Sequence, residues 1–195
     1  SVIFPTRNRA SLLVDAIRSL EAQTLPRECY EIIVVDNGST DETADIVRRL
    51  GEEIPGIRYF LEIEPGLHAG RHRGLAEASS ERLVFADDDI MATPTWLAAI
   101  SDAFEEPSVA MVGGNSLPLY TEQPPDWLRQ LWESPSSDGS RSISWLSVQE
   151  RPEGRYPLNP YNVWGCDFSI WRVVVLAGGG FHPVGMPSDK VRFRG

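Results

Sequence analysis

Four short apolar runs in the first 90 residues constrain the fold more than any other feature of this sequence. The runs are Val2–Pro5, Glu31–Asp36, Ile57–Leu61 and Arg82–Ala86. Each is apolar on consecutive positions and rich in Val, Ile or Phe, which is typical of strands that are buried on both faces. A sheet of such strands requires helices on each of its faces.

Helical patterns lie between and after these runs. An apolar stripe over Leu12–Leu20 predicts a first helix. Ser39–Glu42 resembles a capping box, which predicts that a second helix opens there and continues to about Leu50. His68–Ala78 predicts a third helix, and Thr93–Pro94 has the N-cap and first-turn proline that open a fourth. The alternation predicts an α/β fold with a mostly parallel sheet and right-handed crossovers.

The second part of the chain has a different character. Residues 118–160 are rich in Pro, Trp, Ser and Gly, with one short helical pattern at Trp127–Trp132. A last helix is predicted from near Ile170 to Gly178–Gly180. We expect one domain over residues 1–195, made of a regular first half (1–117) and a loop-rich second half (118–195).

Polar residues follow three of the predicted strands. In open α/β sheets, ligands bind beyond the carboxyl ends of the strands, and these ends are Pro5–Arg9, Asp36–Ser39 and Asp87–Asp89. Three adjacent carboxylates repel one another unless a cation or hydrogen-bond donors offset their charge, and hard divalent cations prefer oxygen ligands. Asp87–Asp89 therefore predicts a site for Mg²⁺ or Mn²⁺ carried on a diphosphate, with a solvated acidic turn as the alternative.

Two further features point to a ligand that carries a base and phosphates. Asp36 precedes the sharp turn that Asn37–Gly38 predicts, where a carboxylate can accept a hydrogen bond from a base or ribose. The alternative is that Asp36 only caps the turn. Gly66–Gly74 contains Arg71 and Arg73 near a predicted helix start, and both arginines and helix N-termini bind phosphate.

Composition and missing motifs exclude several functions. The formal net charge is −10 at pH 7, and so acidic a protein binds polyanions poorly, which excludes broad nucleic-acid binding. No glycine-rich dinucleotide motif follows a predicted strand, and the sequence has no P-loop motif. His68 and His72 have the spacing of a zinc-binding helix, but Ala69 stands where that motif needs Glu, so we reject a zinc site.

Aromatic residues surround a carboxylate late in the chain. Trp164 and Asp167 lie in the stretch Trp164–Trp171. Sugars stack on aromatic rings while their hydroxyls form hydrogen bonds with carboxylates. This stretch is therefore a candidate surface for binding a sugar that accepts a transferred group. Structural packing of the tryptophans is the equally weighted alternative.

Together these groups resemble family 2 glycosyltransferases of the GT-A fold. The matching pieces appear in the family's order and spacing: Ser1–Arg9, Glu31–Asp41, Gly66–Gly74, Phe85–Asp89, Gly165–Ile170 and Gly179–Phe181. The resemblance spans nearly the whole chain. The first, second and fourth pieces form a specific signal in this spacing, far stronger than any one of them alone.

The resemblance implies a donor site for a nucleotide-diphosphate sugar, most often a UDP-sugar, in residues 1–117, with an acceptor side in residues 118–195. It also implies Mn²⁺ or Mg²⁺ as a cofactor. The implied contacts are Pro5, Thr6 and Arg9 along the nucleotide, Asp36 at the base, Arg71 at the diphosphate, Asp87 at the ribose or metal, and Asp89 at the metal with Asp88 as the fallback ligand.

The sequence departs from the family at three places. Arg7 stands where Tyr is common, and His72 stands where Asn is common. Family members carry an acidic catalytic base some way after the segment that ends here at Phe181. Asp189 is the only acidic residue after Phe181 and is the candidate base, although its spacing fits poorly. We expect the base itself to lie beyond Gly195, in a chain truncated at its C-terminus.

The implied reaction is an inverting, hexosyltransferase-type transfer of a sugar to an acceptor hydroxyl. A non-catalytic nucleotide-sugar-binding module is the alternative. A sugar-phosphate nucleotidyltransferase is a weaker one, because Pro5–Arg9 lacks the glycine and lysine expected after the first strand. No apolar stretch approaches 20 residues and no signal peptide is visible. We expect a cytoplasmic enzyme, with membrane association left open, acting on a carbohydrate or lipid-linked acceptor in polysaccharide or glycoconjugate synthesis.

Overall fold

The structure is a computed structural model that describes residues 1–182. Its strands in chain order are β1 (Val2–Thr6), β2 (Ile32–Asp36), β3 (Ile57–Leu61), β4 (Arg82–Ala86), β5 (Met111–Gly113), β6 (Arg141–Ile143), β7 (Val148–Glu150) and β8 (Asp167–Trp171). Its helices are α1 (Ala10–Ser19), α2 (Thr43–Glu53), α3 (Leu67–Glu77), α4 (Trp96–Ala103), α5 (Asp126–Trp132) and α6 (Arg172–Ala177).

Six of these strands form one sheet in the order β3-β2-β1-β4-β8-β5. Strands β1 to β4 pair in parallel, whereas β8 is antiparallel to both β4 and β5. The predicted α/β fold with a mostly parallel sheet is therefore confirmed. The four apolar runs are β1 to β4, with ends within a residue of the prediction. Strands β6 and β7 form a separate two-stranded sheet.

The central strands are buried on both faces because successive side chains point to opposite helical layers. One layer, with α1, α2 and α4, contains Val2, Phe4, Ile32 and Val34. The other, with α3 and α6, contains Ile3, Ile33, Val35 and Leu83. Strand β3 departs from the prediction, since it lies at the sheet edge and its Tyr59 and Leu61 are exposed.

Helix α3 lies close to β1 because two glycines face that strand. A Cβ atom at Gly74 would lie 2.3 Å from Cγ2 of Ile3, and one at Gly70 would lie 3.1 Å from Cβ of Pro5. Any larger side chain at these positions would push the helix away from the sheet. The glycines thus fix the height of α3 above the carboxyl end of β1.

Two predicted helix starts are wrong by a few residues. Helix α2 begins at Thr43, because the Asp41 carboxylate rather than Ser39 accepts the Thr43 backbone N–H at 3.1 Å. The Ser39 hydroxyl instead accepts the backbone N–H of Asn8. Helix α4 begins at Trp96, after a turn in which the Thr93 carbonyl accepts the Trp96 N–H.

The predicted start of the last helix near Ile170 is also wrong. Residues 167–171 form β8, and α6 begins only at Arg172. Phe168 pairs with Phe85 of β4 and with Gly113 of β5, so the segment is hydrogen-bonded on both sides. Sheet pairing here overrides the local helical pattern. Chain from the second half thereby enters the main sheet between two strands of the first half.

Candidate functional site

A cleft of about 370 Å³ opens at the carboxyl ends of β1 and β4. It is lined by Pro5, Thr6, Arg7, Arg9, Asn37, Gly66, Leu67, Asp87 and Asp88. Five of these were predicted as nucleotide or metal contacts, namely Pro5, Thr6, Arg9, Asp87 and Asp88. The cleft therefore lies where ligands bind in an open α/β sheet.

The three carboxylates of the acidic run have different surroundings. Asp88 is buried, and its oxygens accept the Thr6 hydroxyl at 2.6 Å and Nη1 of Arg9 at 3.0 Å. Nη1 of Arg9 also lies 2.9 Å from Oδ2 of Asp89. The side chains of Asp87 and Asp89 are 37% and 47% exposed. Thr6 and Arg9 thus hold Asp88 inward, whereas Asp87 and Asp89 are partly exposed.

The pKa of Asp87 is high for an aspartate. Burial raises its pKa to about 6, with further increases from Asp89 and Asp88 and an opposing effect of Arg71. Its backbone N–H donates to the Cys166 carbonyl at 3.3 Å. A carboxylate with this pKa gains from a nearby cation, because the cation offsets the cost of holding the charge away from water.

The carboxylates fit a metal that arrives with its substrate. Among residues 1–182, no group of three or more His, Cys, Asp or Glu side chains is placed to hold an ion by itself. Asp87 lines the cleft and Asp89 lies two residues further along the same run, outside the lining, so that together they supply two hard oxygen donors. Mg²⁺ is commonly held by one or two carboxylates together with substrate phosphates and water. The donor set matches that mode of binding.

Asp36 lies at the end of β2 and is almost completely buried. Oδ1 accepts the Ser39 backbone N–H, and Oδ2 accepts the Tyr59 hydroxyl, both at 2.7 Å. Burial and the Asp36 carboxylate together raise the pKa of Tyr59 to about 12. The carboxylate caps the turn, as the alternative interpretation held, and it does not line the cleft. Tyr59 was missed, because no local signal connects it with Asp36.

Asn37 builds one wall of the cleft. Its Oδ1 accepts the Gly66 backbone N–H at 2.7 Å, and its amide donates to the carbonyls of Glu62 and Glu64. These bonds hold residues 62–66 against the end of β2. Gly66 has a φ of 125°, which residues other than glycine rarely adopt. The sequence indicated only a turn at Asn37, and the missed role depends on a contact 29 residues away.

Arg71 lies beside the cleft rather than in its lining. Its Nη2 donates to the Gly165 carbonyl at 2.7 Å and lies 3.8 Å from Oδ1 of Asp87. The guanidinium faces the rings of Phe168 and Phe181. Burial lowers the pKa of Arg71, although Asp87 partly opposes this effect.

The predicted acceptor residues lie away from the cleft lining. Asp167 is buried at the start of β8, and its carboxylate accepts Nε1 of Trp96 at 3.1 Å. Burial raises its pKa to about 6, against hydrogen bonds from Trp96 and the Gly114 backbone. The buried indole N–H of Trp164 has no hydrogen-bond partner within residues 1–182. Asp189, the candidate base, lies outside the described residues.

No helix in residues 1–182 is both long and apolar enough to cross a lipid bilayer.

A family model for glycosyl transferase family 2 matches residues 1–164 of this chain. The chain belongs to glycosyl transferase family 2. The matched range contains every site residue predicted in the first half, together with all the residues that line the cleft. The resemblance drawn from the sequence motifs is thereby confirmed.

Individual relatives of this chain are named as glycosyltransferases as well. The chain is 41% identical over 91 residues to the GalNAc(5)-diNAcBac-PP-undecaprenol beta-1,3-glucosyltransferase of Campylobacter jejuni, an alignment that covers 46% of the chain and 29% of that protein. Matches to four curated relatives span only 25–38% of the relatives' own lengths. The chain therefore corresponds to part of such proteins.

Solved structures share the fold. The mannosyltransferase PcManGT from Pyrobaculum calidifontis, in complex with GDP-Man and Mn²⁺, has a TM-score of 0.65 at 24% identity, over 92% of this chain and 46% of that one. Staphylococcus aureus TarS 1–349 in complex with UDP-GlcNAc has a TM-score of 0.65 at 17% identity, over 93% and 48%. The fold is that of the GT-A glycosyltransferases, as predicted.

Proposed function

We propose that this protein transfers a sugar from a nucleotide-diphosphate sugar to an acceptor hydroxyl with the help of a divalent cation. The observation that carries the proposal is the cleft at the carboxyl ends of β1 and β4, which Asp87 and Asp88 line. The side chains of Asp87 and Asp89 are partly exposed, whereas Asp88 is held inward. Family 2 membership supports the same reaction class.

The donor would lie along the first half of the chain. Pro5, Thr6 and Arg9 would contact the nucleotide, and Asp36 would accept a hydrogen bond from the base. The neighbours bound to GDP-Man and to UDP-GlcNAc make both guanine and uracil nucleotides candidates. A UDP-sugar remains our first choice, as the resemblance implies.

Asp87 would contact either the ribose or the cation. The cation would be Mn²⁺ or Mg²⁺, held by Asp89 with Asp88 as the fallback ligand. When bound, it would stabilise as a Lewis acid the negative charge that develops on the leaving diphosphate. The bonds from Thr6 and Arg9 to Asp88 fix the backbone of the acidic run, so that its neighbouring carboxylates are held in place before the donor binds.

The acceptor side would be formed by residues 118–195 within one domain. Trp164 and Asp167 are the candidate acceptor contacts, and the transfer would proceed with inversion through a carboxylate base. Asp189 is one candidate for that base, and a residue beyond Gly195 is the other. The undecaprenol-linked substrate of the Campylobacter relative supports a lipid-linked carbohydrate acceptor, reached by a cytoplasmic protein at the membrane surface.

Calorimetric titration with UDP, GDP and dTDP, each with and without Mn²⁺, tests the donor site. We expect metal-dependent binding of at least one nucleotide, weakened about tenfold or more by Asp89→Ala. Asp45→Ala is the matched control, because Asp45 lies on α2, its side chain is 71% exposed, and it pairs with Arg48 of the same helix. Failure of all three nucleotides, or equal effects of the two variants, would refute the donor-site assignment.

Transfer assays on a longer chain then separate an enzyme from a binding module. Release of the nucleotide from a sugar donor in the presence of a lipid-linked acceptor would support the transferase. Tight donor binding without transfer or hydrolysis would instead identify a non-catalytic nucleotide-sugar-binding module.

A further inference from the structure

The guanidinium of Arg71 lies where α3 meets the start of β8. Its Nη2 donates to the Gly165 carbonyl, which is 94 residues away in sequence. The same atom lies 3.8 Å from Oδ1 of Asp87. One side chain thereby connects the helix beside the cleft, the first carboxylate of the acidic run and the segment that enters β8.

These contacts link Arg71, Asp87 and the segment Gly165–Cys166 to one another. Arg71 holds the Gly165 carbonyl, and the next carbonyl, that of Cys166, accepts the backbone N–H of Asp87 at 3.3 Å. The main chain of Asp87 and its side chain are therefore tied to the same short segment. Movement of this segment would carry the Asp87 carboxylate with it.

Burial and contacts with two aromatic rings restrict the Arg71 guanidinium to its observed position. The Arg71 side chain is only 9% exposed. The Phe168 and Phe181 ring centroids lie 5.3 and 5.9 Å from its central carbon, within the range of cation–π attraction. Its Nε is buried and has no hydrogen-bond partner in the described part of the chain. The contacts of Nη2 and of the central carbon thus hold the guanidinium between β8 and the Phe181 ring.

Asp87 also differs from its neighbours in the cation that it faces. Asp88 and Asp89 both pair with Nη1 of Arg9, at 3.0 and 2.9 Å. Asp87 instead pairs with Arg71. Arg9, which lines the cleft, therefore pairs with the last two carboxylates of the run. Arg71, which lies next to β8, pairs with the first.

We propose that Arg71 is a positioning residue, which acts on the donor site through Asp87 rather than by touching the diphosphate. The inference rests on the proposed function and assigns to Arg71 a role different from the diphosphate contact that the family resemblance implies. It also couples the segment at Gly165, in the second half of the chain, to the donor site in the first.

A double-mutant cycle tests this role by measuring UDP affinity in the presence of Mn²⁺. We expect Arg71→Met to weaken binding about tenfold, as is usual when the partner of a metal-site carboxylate is removed. In the Asp87→Asn background the same substitution is expected to weaken binding less than twofold, because the residue through which Arg71 acts is already altered. An equal loss in both backgrounds would show direct contact with the diphosphate and overturn the proposal.

Three further variants separate positioning from general damage to the fold. Arg129→Met is the matched control, since Arg129 lies on α5 and pairs with Asp126 of the same helix at 2.8 Å. It should leave UDP affinity unchanged. Arg71→Lys keeps the charge but lacks the planar guanidinium that bonds to Gly165 and faces the two rings, so we expect partial rescue. In Gly165→Ala the new Cβ would lie 3.1 Å from Nη2 of Arg71, and a loss of about threefold is expected while both side chains remain.

Uridine binding and thermal unfolding complete the experiment. Affinity for uridine should be the same in the wild type and in Arg71→Met, whereas a variant that fails to fold would lose it. If Arg71→Met does not fold, the UDP affinities of Arg71→Lys and Gly165→Ala are measured instead, in the wild-type and Asp87→Asn backgrounds. Unchanged or stronger UDP binding in both of them would overturn the proposal. A wild-type protein that binds none of UDP, GDP or dTDP would refute the proposed function itself.

Discussion

The close packing of α3 on β1 gives a sharp prediction about stability, because one methyl group is enough to disturb it. Gly74→Ala would place a Cβ atom 2.3 Å from Cγ2 of Ile3, which is fully buried. Carbon atoms in contact normally lie about 3.5–4.0 Å apart. Either α3 or the Ile3 side chain must therefore move by more than about 1 Å.

The energetic cost follows from two opposing effects. Overpacking of a buried position costs about 1–3 kcal/mol, whereas replacing glycine by alanine inside a helix contributes about 1 kcal/mol of stability. We expect a net loss of up to about 2 kcal/mol for Gly74→Ala. Gly51→Ala is the matched control, because Gly51 lies in α2 with nothing within 4 Å of the new methyl. That variant should gain about 0.5–1 kcal/mol.

Urea denaturation followed by tryptophan fluorescence measures both variants, and equal slopes would show that the two unfolding transitions are comparable. Ile3→Ala should cost less in the Gly74→Ala background than in the wild type, since the added methyl partly fills the cavity. The reasoning would be refuted if Gly74→Ala were as stable as Gly51→Ala, or if the two substitutions at the β1–α3 contact were additive.

Two further predictions concern acid stability and the cleft wall. Although burial opposes it, hydrogen bonds from Ser1, Ser79 and Arg58 lower the pKa of Glu31 to about 2. This group therefore stabilises the fold above the unfolded pKa and loses that effect as pH falls through about 2. Urea titrations should show Glu31→Gln less stable by about 2 kcal/mol at pH 7, with the difference shrinking below about pH 4.5, and a constant difference would contradict the pKa. Gly66→Ala should cost about 1–3 kcal/mol, because its φ of 125° suits glycine, and should weaken UDP binding in calorimetry. Unchanged UDP affinity would show that residues 62–66 do not contribute to the donor site.

Much of the cleft was predictable because its residues lie at strand ends. Apolar runs of consecutive Val, Ile and Phe indicated buried parallel strands, and the carboxyl ends of such strands meet at one edge. Local pattern was therefore enough to bring Pro5–Arg9 and Asp87–Asp89 together. It was not enough to distinguish the three carboxylates, because Asp88 is set apart by contacts with Thr6 and Arg9 about 80 residues earlier.

The sequence by itself determined the α/β class, the four parallel strands and the polar edge where the donor site is proposed. These depend on periodicity and on residue types within short windows. Only the tertiary structure decided that residues 167–171 form a strand, that Tyr59 bonds to Asp36, and that Arg71 joins Asp87 to Gly165. Each of these depends on pairing between distant segments, where the energy gained by burial and hydrogen bonding exceeds the preference of the local sequence.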